Sequence, residues 1–360
     1  MYQEALKTTA LGQTGLEITR VGFGAWAIGG GGWEFGWGPQ DDDQSLAAIH
    51  RALEQGVNWI DTAAAYGFGR SEQTVGRALE GMVDRPYVFT KCSLLQGPDR
   101  RVVHNLKRDP ILREAEASLD RLGIDAIDLY QIHWPIPAAD IEEGWTALAE
   151  LKDEGLVRHI GVSNFDVEQL RRIQQIAPVE TLQPEYSLIE RDAERELLPV
   201  AQAERIGVIV YSPMGSGMLT GRMTSDRIAQ LADDDWRKHD ERFRDPQLAR
   251  NLELVERLRV VAERHSTTPG AVAVAWTLHN PAVDGAIVGF RRDDQVDPIL
   301  AATNLELTDD DLDEIEARTR YARNIQGEDQ PACEPMPSGA FPVARDGAMF
   351  WLRRNTLSGS

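Results

Sequence analysis

The stretch QSLAAIHRALEQGVNWID, residues 44–61, contains one complete change of period. Leu46, Ile49 and Leu53 recur at steps of three and four, so Gln44–Gln55 reads as a helix with one apolar face. Gly56 interrupts it. Val57–Ile60 then reads as a short buried strand that runs directly into Asp61. Working outward, the same alternation repeats. On the N-terminal side, Val21-Gly22-Phe23 is strand-like, and Thr8–Thr19 forms a hairpin turning at Gly12-Gln13-Thr14-Gly15. On the C-terminal side, strands are predicted at Tyr87–Thr90, Ile127–Ile132, His159–Ser163, Thr181–Pro184, Val208–Tyr211 and Ala286–Val288. Helices are predicted at Ser71–Leu79, Ile111–Leu122, Ile141–Glu154, Val167–Ile176, Ala193–Arg205, Gly270–His279 and near Asp294–Ala301. Thr308, with Asp311 three residues on, caps a closing helix.

Eight strand–helix units in one run imply parallel strands joined by crossover helices, and favour a closed (β/α)8 TIM barrel over a doubly wound open sheet. The barrel is assigned to residues 1–322, with the N-terminal hairpin as an appendage and 323–360 as a C-terminal extension. Two segments break the rhythm. Gly30-Gly31-Gly32-Trp33 through Gly38-Pro39 is a Gly- and Trp-rich loop. Met223–Pro246 is a long polar loop after the seventh strand, and loops of that length in compact domains are either functional lids or disordered excursions.

Hydrophobic residues make up 42% and charged residues 27% of the 360, which excludes a disordered chain for most of the length. The net charge of −20 opposes binding to nucleic acid or anionic membrane, although an anionic small molecule could still enter a locally positive pocket. Two distant cysteines, Cys92 and Cys333, form neither a disulfide framework nor a zinc pattern and fit a reducing, cytoplasmic setting. The N-terminus has no apolar core of a signal peptide, and no run approaches the roughly 18 apolar residues of a membrane helix.

In a barrel of this kind chemistry gathers where the strands end at the C-terminal face. Three adjacent strand ends carry Asp61, Lys91 and His133. No histidine pair at ligand spacing accompanies them, so a metal site is not indicated. A carboxylate beside Lys91 would keep it charged, which disfavours Schiff-base chemistry. A charged lysine instead lowers the pKa of a nearby phenol. Tyr66, five residues past Asp61, is such a phenol and a candidate general acid.

At this point the motifs become specific. Gly56-Val57-Asn58-Trp59-Ile60-Asp61-Thr62-Ala63-Ala64-Ala65-Tyr66-Gly67 followed by Ser71-Glu72 closely resembles the signature of the aldo-keto reductases. Ile132-His133-Trp134-Pro135, Gly161-Val162-Ser163-Asn164-Phe165, Gln183-Pro184-Glu185-Tyr186 and Tyr211-Ser212-Pro213-Met214 match later blocks of that family in order, over roughly Leu11 to Ala317. The resemblance implies reversible hydride transfer between a nicotinamide cofactor and a small carbonyl compound. Asp61, Tyr66, Lys91 and His133 would form the catalytic tetrad. Ser163, Asn164 and Gln183 would hold the carboxamide, with Tyr211 stacked on the nicotinamide. Ser212, Pro213, Met214, Gly215, Ser216, Gly217 and Leu219 would wrap the pyrophosphate through backbone donors. Gly289, Arg291 and Gln295 would flank the adenosine end, and Gly24 and Trp26 complete the cofactor set. Trp26, Trp33, Trp37 and Trp134, beside Tyr66 and His133, would wall the substrate.

Two positions depart from the family pattern. Ser216 stands where a basic residue is common, and Ile299 stands where an Asn is common. Arg291 or Arg292 could pair with a 2′-phosphate, which favours NADPH/NADP+ with NADH as the second choice. No GxGxxG fingerprint supports a Rossmann mode. The chain is expected as a monomer or homo-oligomer. A cofactor-sensing regulatory subunit with little turnover is the alternative reading, and a hydrolase on the same barrel a distant third.

Overall fold

The computed structural model describes residues 5–316, in which eight parallel strands close on themselves. The N-terminal hairpin consists of β1 (Thr8–Ala10) and β2 (Glu17–Thr19). The barrel strands are β3 (Val21–Gly24), β4 (Trp59–Asp61), β5 (Tyr87–Cys92), β8 (Ile127–Ile132), β9 (Val157–Ser163), β10 (Thr181–Gln183), β11 (Gly207–Val210) and β12 (Gly285–Gly289). They run in that order around the barrel, and β12 pairs with β3 to close it. A second hairpin, β6 (Leu94–Gln96) and β7 (Val102–His104), extends from the end of β5. Helices α1 (Asp42–Glu54), α2 (Arg70–Leu79), α3 (Arg108–Leu122), α4 (Ile141–Asp153), α5 (Val167–Ile173) and α6 (Leu197–Glu204) follow the first strands. After β11 come α7 (Ser225–Ala229), α8 (Gln247–Arg264) and α9 (Pro269–His279), and after β12 the short α10 (Val296–Leu300). The expected box at Thr308 is formed: Asp311 N–H donates to Thr308 Oγ1 at 3.2 Å and Thr308 N–H to Asp311 Oδ2 at 3.0 Å.

Alternate residues of each strand face the barrel axis, so two steps along a strand return to the same face. One inward layer is apolar. Trp59, Phe89, Leu129, Ile209 and Ile287 pack there with Leu11, Leu16 and Ile18 of the N-terminal hairpin. The hairpin is thus a plug in the floor of the barrel. Its seat is specific, because the Trp59 indole N–H donates to Thr19 O at 2.8 Å. The indole lies over Gly22, where an added Cβ would stand 2.1 Å from the ring.

Three features differ from the sequence expectation. Helix α8 is not among the helices expected from the sequence, although Leu248, Leu252, Val255, Leu258, Val261 and Ala262 recur at helical spacing within it. The abundant charges between them hid the period. Hairpin β6–β7 was missed because its strands are three residues each. Segment 223–246 is no open loop: it contains α7 and two 3-10 turns, Trp236–His239 and Glu241–Phe243. The proposed extension, 323–360, lies outside the described residues.

Gly22→Ala should cost roughly 1–3 kcal/mol, because the buried Trp59 ring cannot move without unseating the plug. Urea unfolding would show it as a lower midpoint at unchanged slope. An unaltered midpoint would contradict this account of the floor.

Candidate active site

Two residues beyond the apolar layer, the same inward faces turn polar. Trp59 is followed by Asp61, Phe89 by Lys91, Leu129 by Gln131 and Ile209 by Tyr211, while Ser163 and Gln183 end the neighbouring strands. The closed cylinder therefore brings six polar side chains to one end without any loop having to place them.

Lys91 is the centre of the arrangement. It is 1% exposed, and an ammonium has three protons to place. Nζ donates to Asp61 Oδ1 at 2.5 Å, to Thr62 O at 2.9 Å and to Tyr66 Oη at 3.3 Å. Asp61 Oδ2 accepts from Gln183 Nε2 at 2.9 Å, and Gln183 Nε2 also lies 3.4 Å from Gln131 Oε1. Burial acts against both charges, raising the Asp61 carboxyl and lowering the Lys91 ammonium, while each opposes the shift of the other. The lysine's strand is also braced from outside. Thr90 Oγ1 donates to Glu72 Oε1 at 2.6 Å, and Ser93 N–H donates to Glu114, a carboxyl that burial pushes up to about 8.

Tyr66 sits in the turn between β4 and α2. The Ser71 N–H donates to its carbonyl at 3.2 Å, and the Ser71 hydroxyl bonds Ala25 O at 2.8 Å, which fixes the turn against β3. This explains the Ser71-Glu72 pair of the motif in physical terms. Lys91 donates to the phenolic oxygen, and among the described residues nothing accepts the phenolic proton. The expectation that Lys91 draws this phenol toward neutrality needs correction. Burial, and secondly the Asp61 charge, hold Tyr66 well above its ordinary range. The phenol keeps its proton at neutral pH, as a donor must.

His133 meets the Tyr66 ring edge-on, with centroids 5.6 Å apart. Burial first, and then the Lys91 charge, hold the imidazole well below the usual histidine range, so it is neutral. Beside it, Asn164 adopts a left-handed backbone (φ 63°), which an asparagine tolerates better than most residues. Its Nδ2 donates to His133 O at 2.9 Å and to Ser163 Oγ at 3.0 Å, and its Oδ1 accepts from Tyr211 Oη at 2.8 Å. Ser163 Oγ donates to Gln183 O at 2.8 Å. Ser163, Asn164, Gln183 and Tyr211 thus form one connected face beside the tetrad.

The remaining expected contacts divide. Gly24 and Gly289 are register partners at the β3–β12 seam, so they share one rim position. Pro213 and Leu219 are buried core residues. The backbone donors of the 212–219 loop are mostly used within it: Gly215, Gly217, Met218 and Leu219 N–H close turns on Ser212, Met214, Gly215 and Met214 carbonyls. The loop presents the Ser212 and Ser216 hydroxyls instead, 3.4 Å apart. Arg291 donates to Gln40 Oε1 and Trp37 O at 2.6 and 3.0 Å, and to Pro39 O. It braces the 30–39 loop. Gln295 Oε1 accepts from the Arg291 and Arg292 amides, and Ile299 is buried against α9.

Trp26 lies between Tyr66 and the 223–246 segment, stacked at 6.2 Å on Tyr66 and 5.3 Å on Trp236. Trp37 meets both indoles edge-on. Trp236 N–H donates to Gly36 O at 3.1 Å and Gly32 N–H to Asp234 Oδ2 at 2.8 Å, so the two irregular segments are knitted together. Trp33 is buried between Phe35 and Phe68 and supports the wall from behind, while Trp134 is half-buried next to Ser93. One site residue, Gln131, escaped sequence reasoning, although it carried a signal: a buried amide one residue from the end of the predicted strand Ile127–Ile132.

The aldo/keto reductase family model matches residues 20–319. An aldo-keto reductase of Bacillus subtilis (strain 168) is 39% identical over 313 residues, covering 86% of this chain and 92% of its own. The NADH-specific methylglyoxal reductase of Escherichia coli (strain K12) is 35% identical over 320 residues, covering 85% and 96%. Among solved structures, a glycerol dehydrogenase from Gluconobacter oxydans is similar with a TM-score of 0.79 at 34% identity, covering 93% of this chain and all (100%) of its own.

Lys91→Met should destabilise the fold by about 3–5 kcal/mol, since it leaves the Asp61 charge buried and unpaired. The double variant Lys91→Met/Asp61→Asn should recover much of that loss in denaturant unfolding. Equal stability of the single and double variants would contradict the coupling.

Proposed function

The chain belongs to the aldo/keto reductase family, and we propose that it reduces small aldehydes or ketones to alcohols, with Tyr66 as the proton donor. The observation that carries this reading is the buried line Asp61–Lys91–Tyr66 facing a neutral His133 at the barrel mouth. Tyr211, Ser163, Asn164 and Gln183, joined in one hydrogen-bonded face, would hold a nicotinamide, which when bound would supply the hydride. Tyr66 gives its proton to the carbonyl oxygen. The Lys91 ammonium, already hydrogen-bonded to the phenolic oxygen, stabilises the negative charge left there, and Asp61 holds the ammonium in place. Neutral His133 offers an N–H to the same carbonyl oxygen without bringing a competing acidic proton. The Trp26 and Trp236 indoles limit water at the mouth.

For the cofactor we propose NADPH, with NADH accepted less well. Arg291 is engaged by loop carbonyls, so the 2′-phosphate falls to Arg292. That side chain is exposed and paired with Asp294 at 2.8 Å, a surface contact that a phosphate can displace.

Tyr66→Phe should lower kcat for carbonyl reduction by roughly 100-fold or more, with cofactor affinity kept within a few-fold. Steady-state kinetics and cofactor fluorescence titration check the two halves, and full activity in this variant would remove Tyr66 from the mechanism. Arg292→Ala should weaken NADPH by about tenfold and NADH hardly at all. Equal losses for both cofactors would exclude it as the 2′-phosphate contact.

A further inference from the structure

We propose that His104 is a specificity residue that hydrogen-bonds an oxygen on the carbon next to the reacting carbonyl. The preferred substrates are then short α-oxygenated carbonyl compounds rather than simple alkyl aldehydes. This rests on the carbonyl-reductase reading above and extends it to a substrate class.

His104 ends β7, opposite Leu94 in the hairpin register. The base of that hairpin is tied to the catalytic strand: Asn105 N–H donates to Ser93 O at 2.9 Å, two residues past Lys91. The next carbonyl back, Cys92 O, accepts from His133 N–H at 3.1 Å. The backbone of Asn105, the residue after His104, and that of His133 are therefore anchored to consecutive residues at one strand end. They are close enough that a charge on His104 would depress His133 further.

Both imidazoles have a buried Nδ1 with no hydrogen-bond partner among the described residues. A buried polar atom without a partner is costly, and a hydrogen bond from a bound ligand is one way to complete it. Burial lowers the His104 pKa, and the Glu34 charge only partly offsets this, so the ring is neutral and offers both a donor and an acceptor. That pairing suits a hydroxyl or second carbonyl oxygen and does not suit a carboxylate, which would call for a cation. Tyr66 and His133 serve the reacting oxygen, and His104 serves its neighbour. An alkyl aldehyde of the same length leaves His104 unpaired, the situation in which polar sites discriminate most strongly.

The test compares glyceraldehyde, methylglyoxal and propanal in steady-state kinetics with the full chain at saturating NADPH. The wild type should favour glyceraldehyde over propanal by about tenfold or more in kcat/KM. His104→Phe should collapse that ratio, with the loss falling in KM for glyceraldehyde more than in kcat. His104→Gln, which keeps a donor and an acceptor, should retain part of it. His104→Ala reads the same ratio if the phenylalanine variant does not fold. A wild-type ratio near one, or a ratio unmoved in His104→Phe and His104→Ala, would overturn the assignment while leaving carbonyl reduction intact. No turnover of any of the three aldehydes with either NADPH or NADH would sink both readings together.

Discussion

The whole site depends on one buried ammonium. Lys91 lies inside a closed barrel and must place three protons, and the structure provides a carboxylate, a backbone carbonyl and a phenol. Each partner comes from a different part of the chain, β4, the residue after it and the turn beyond. Removing any one would leave a charge or a donor unsatisfied in a low-dielectric interior. The cost of burying this charge thus fixes the geometry of the proton donor. Tyr66 cannot drift from Lys91 without stranding a proton, and Lys91 cannot leave Asp61 without stranding a charge.

The barrel makes that burial possible by separating its two ends. The lower inward layer is closed by apolar side chains and by the hairpin plug, with Trp59 seated on Gly22. Only two residues further along the same strands the layer is polar. Water is excluded from below by the plug and limited from above by the Trp26, Trp37 and Trp236 cluster. Between these layers the electrostatic interactions act at short range and with little screening, which is the condition under which a fixed ammonium stabilises a phenolate best.

Much of this was legible in the sequence, for a definite reason. The change of period at residues 44–61 repeats along the chain, and a barrel places strand ends together whatever the loops do. Asp61, Lys91 and His133 could therefore be grouped from the alternation alone, and Tyr66 joined them through its distance from Asp61. Contacts made by irregular backbone were not legible. That the Gly215, Gly217, Met218 and Leu219 amides of the 212–219 loop close turns on the loop's own carbonyls was not legible. Of the two arginines offered for a 2′-phosphate, Arg291 braces a loop that no local pattern links to it. Hairpin β6–β7 was missed because a three-residue strand has too little periodicity to be seen. The direction of the Tyr66 shift was also misjudged, because the burial that dominates it is a property of the folded barrel and not of neighbouring residues in the chain.

The central claim is that a protonated Tyr66 and a neutral His133 face the substrate together. The pH dependence of kcat/KM for carbonyl reduction tests it most directly, since this parameter reports ionisations in the free enzyme. Burial holds His133 far below and Tyr66 far above their ordinary values. The profile should therefore be flat from about pH 6 to about pH 8, across the range where an ordinary histidine titrates. A limb with a midpoint near the ordinary histidine value of about 6.5, abolished by His133→Asn, would show an imidazole that charges within the working range and would contradict the account.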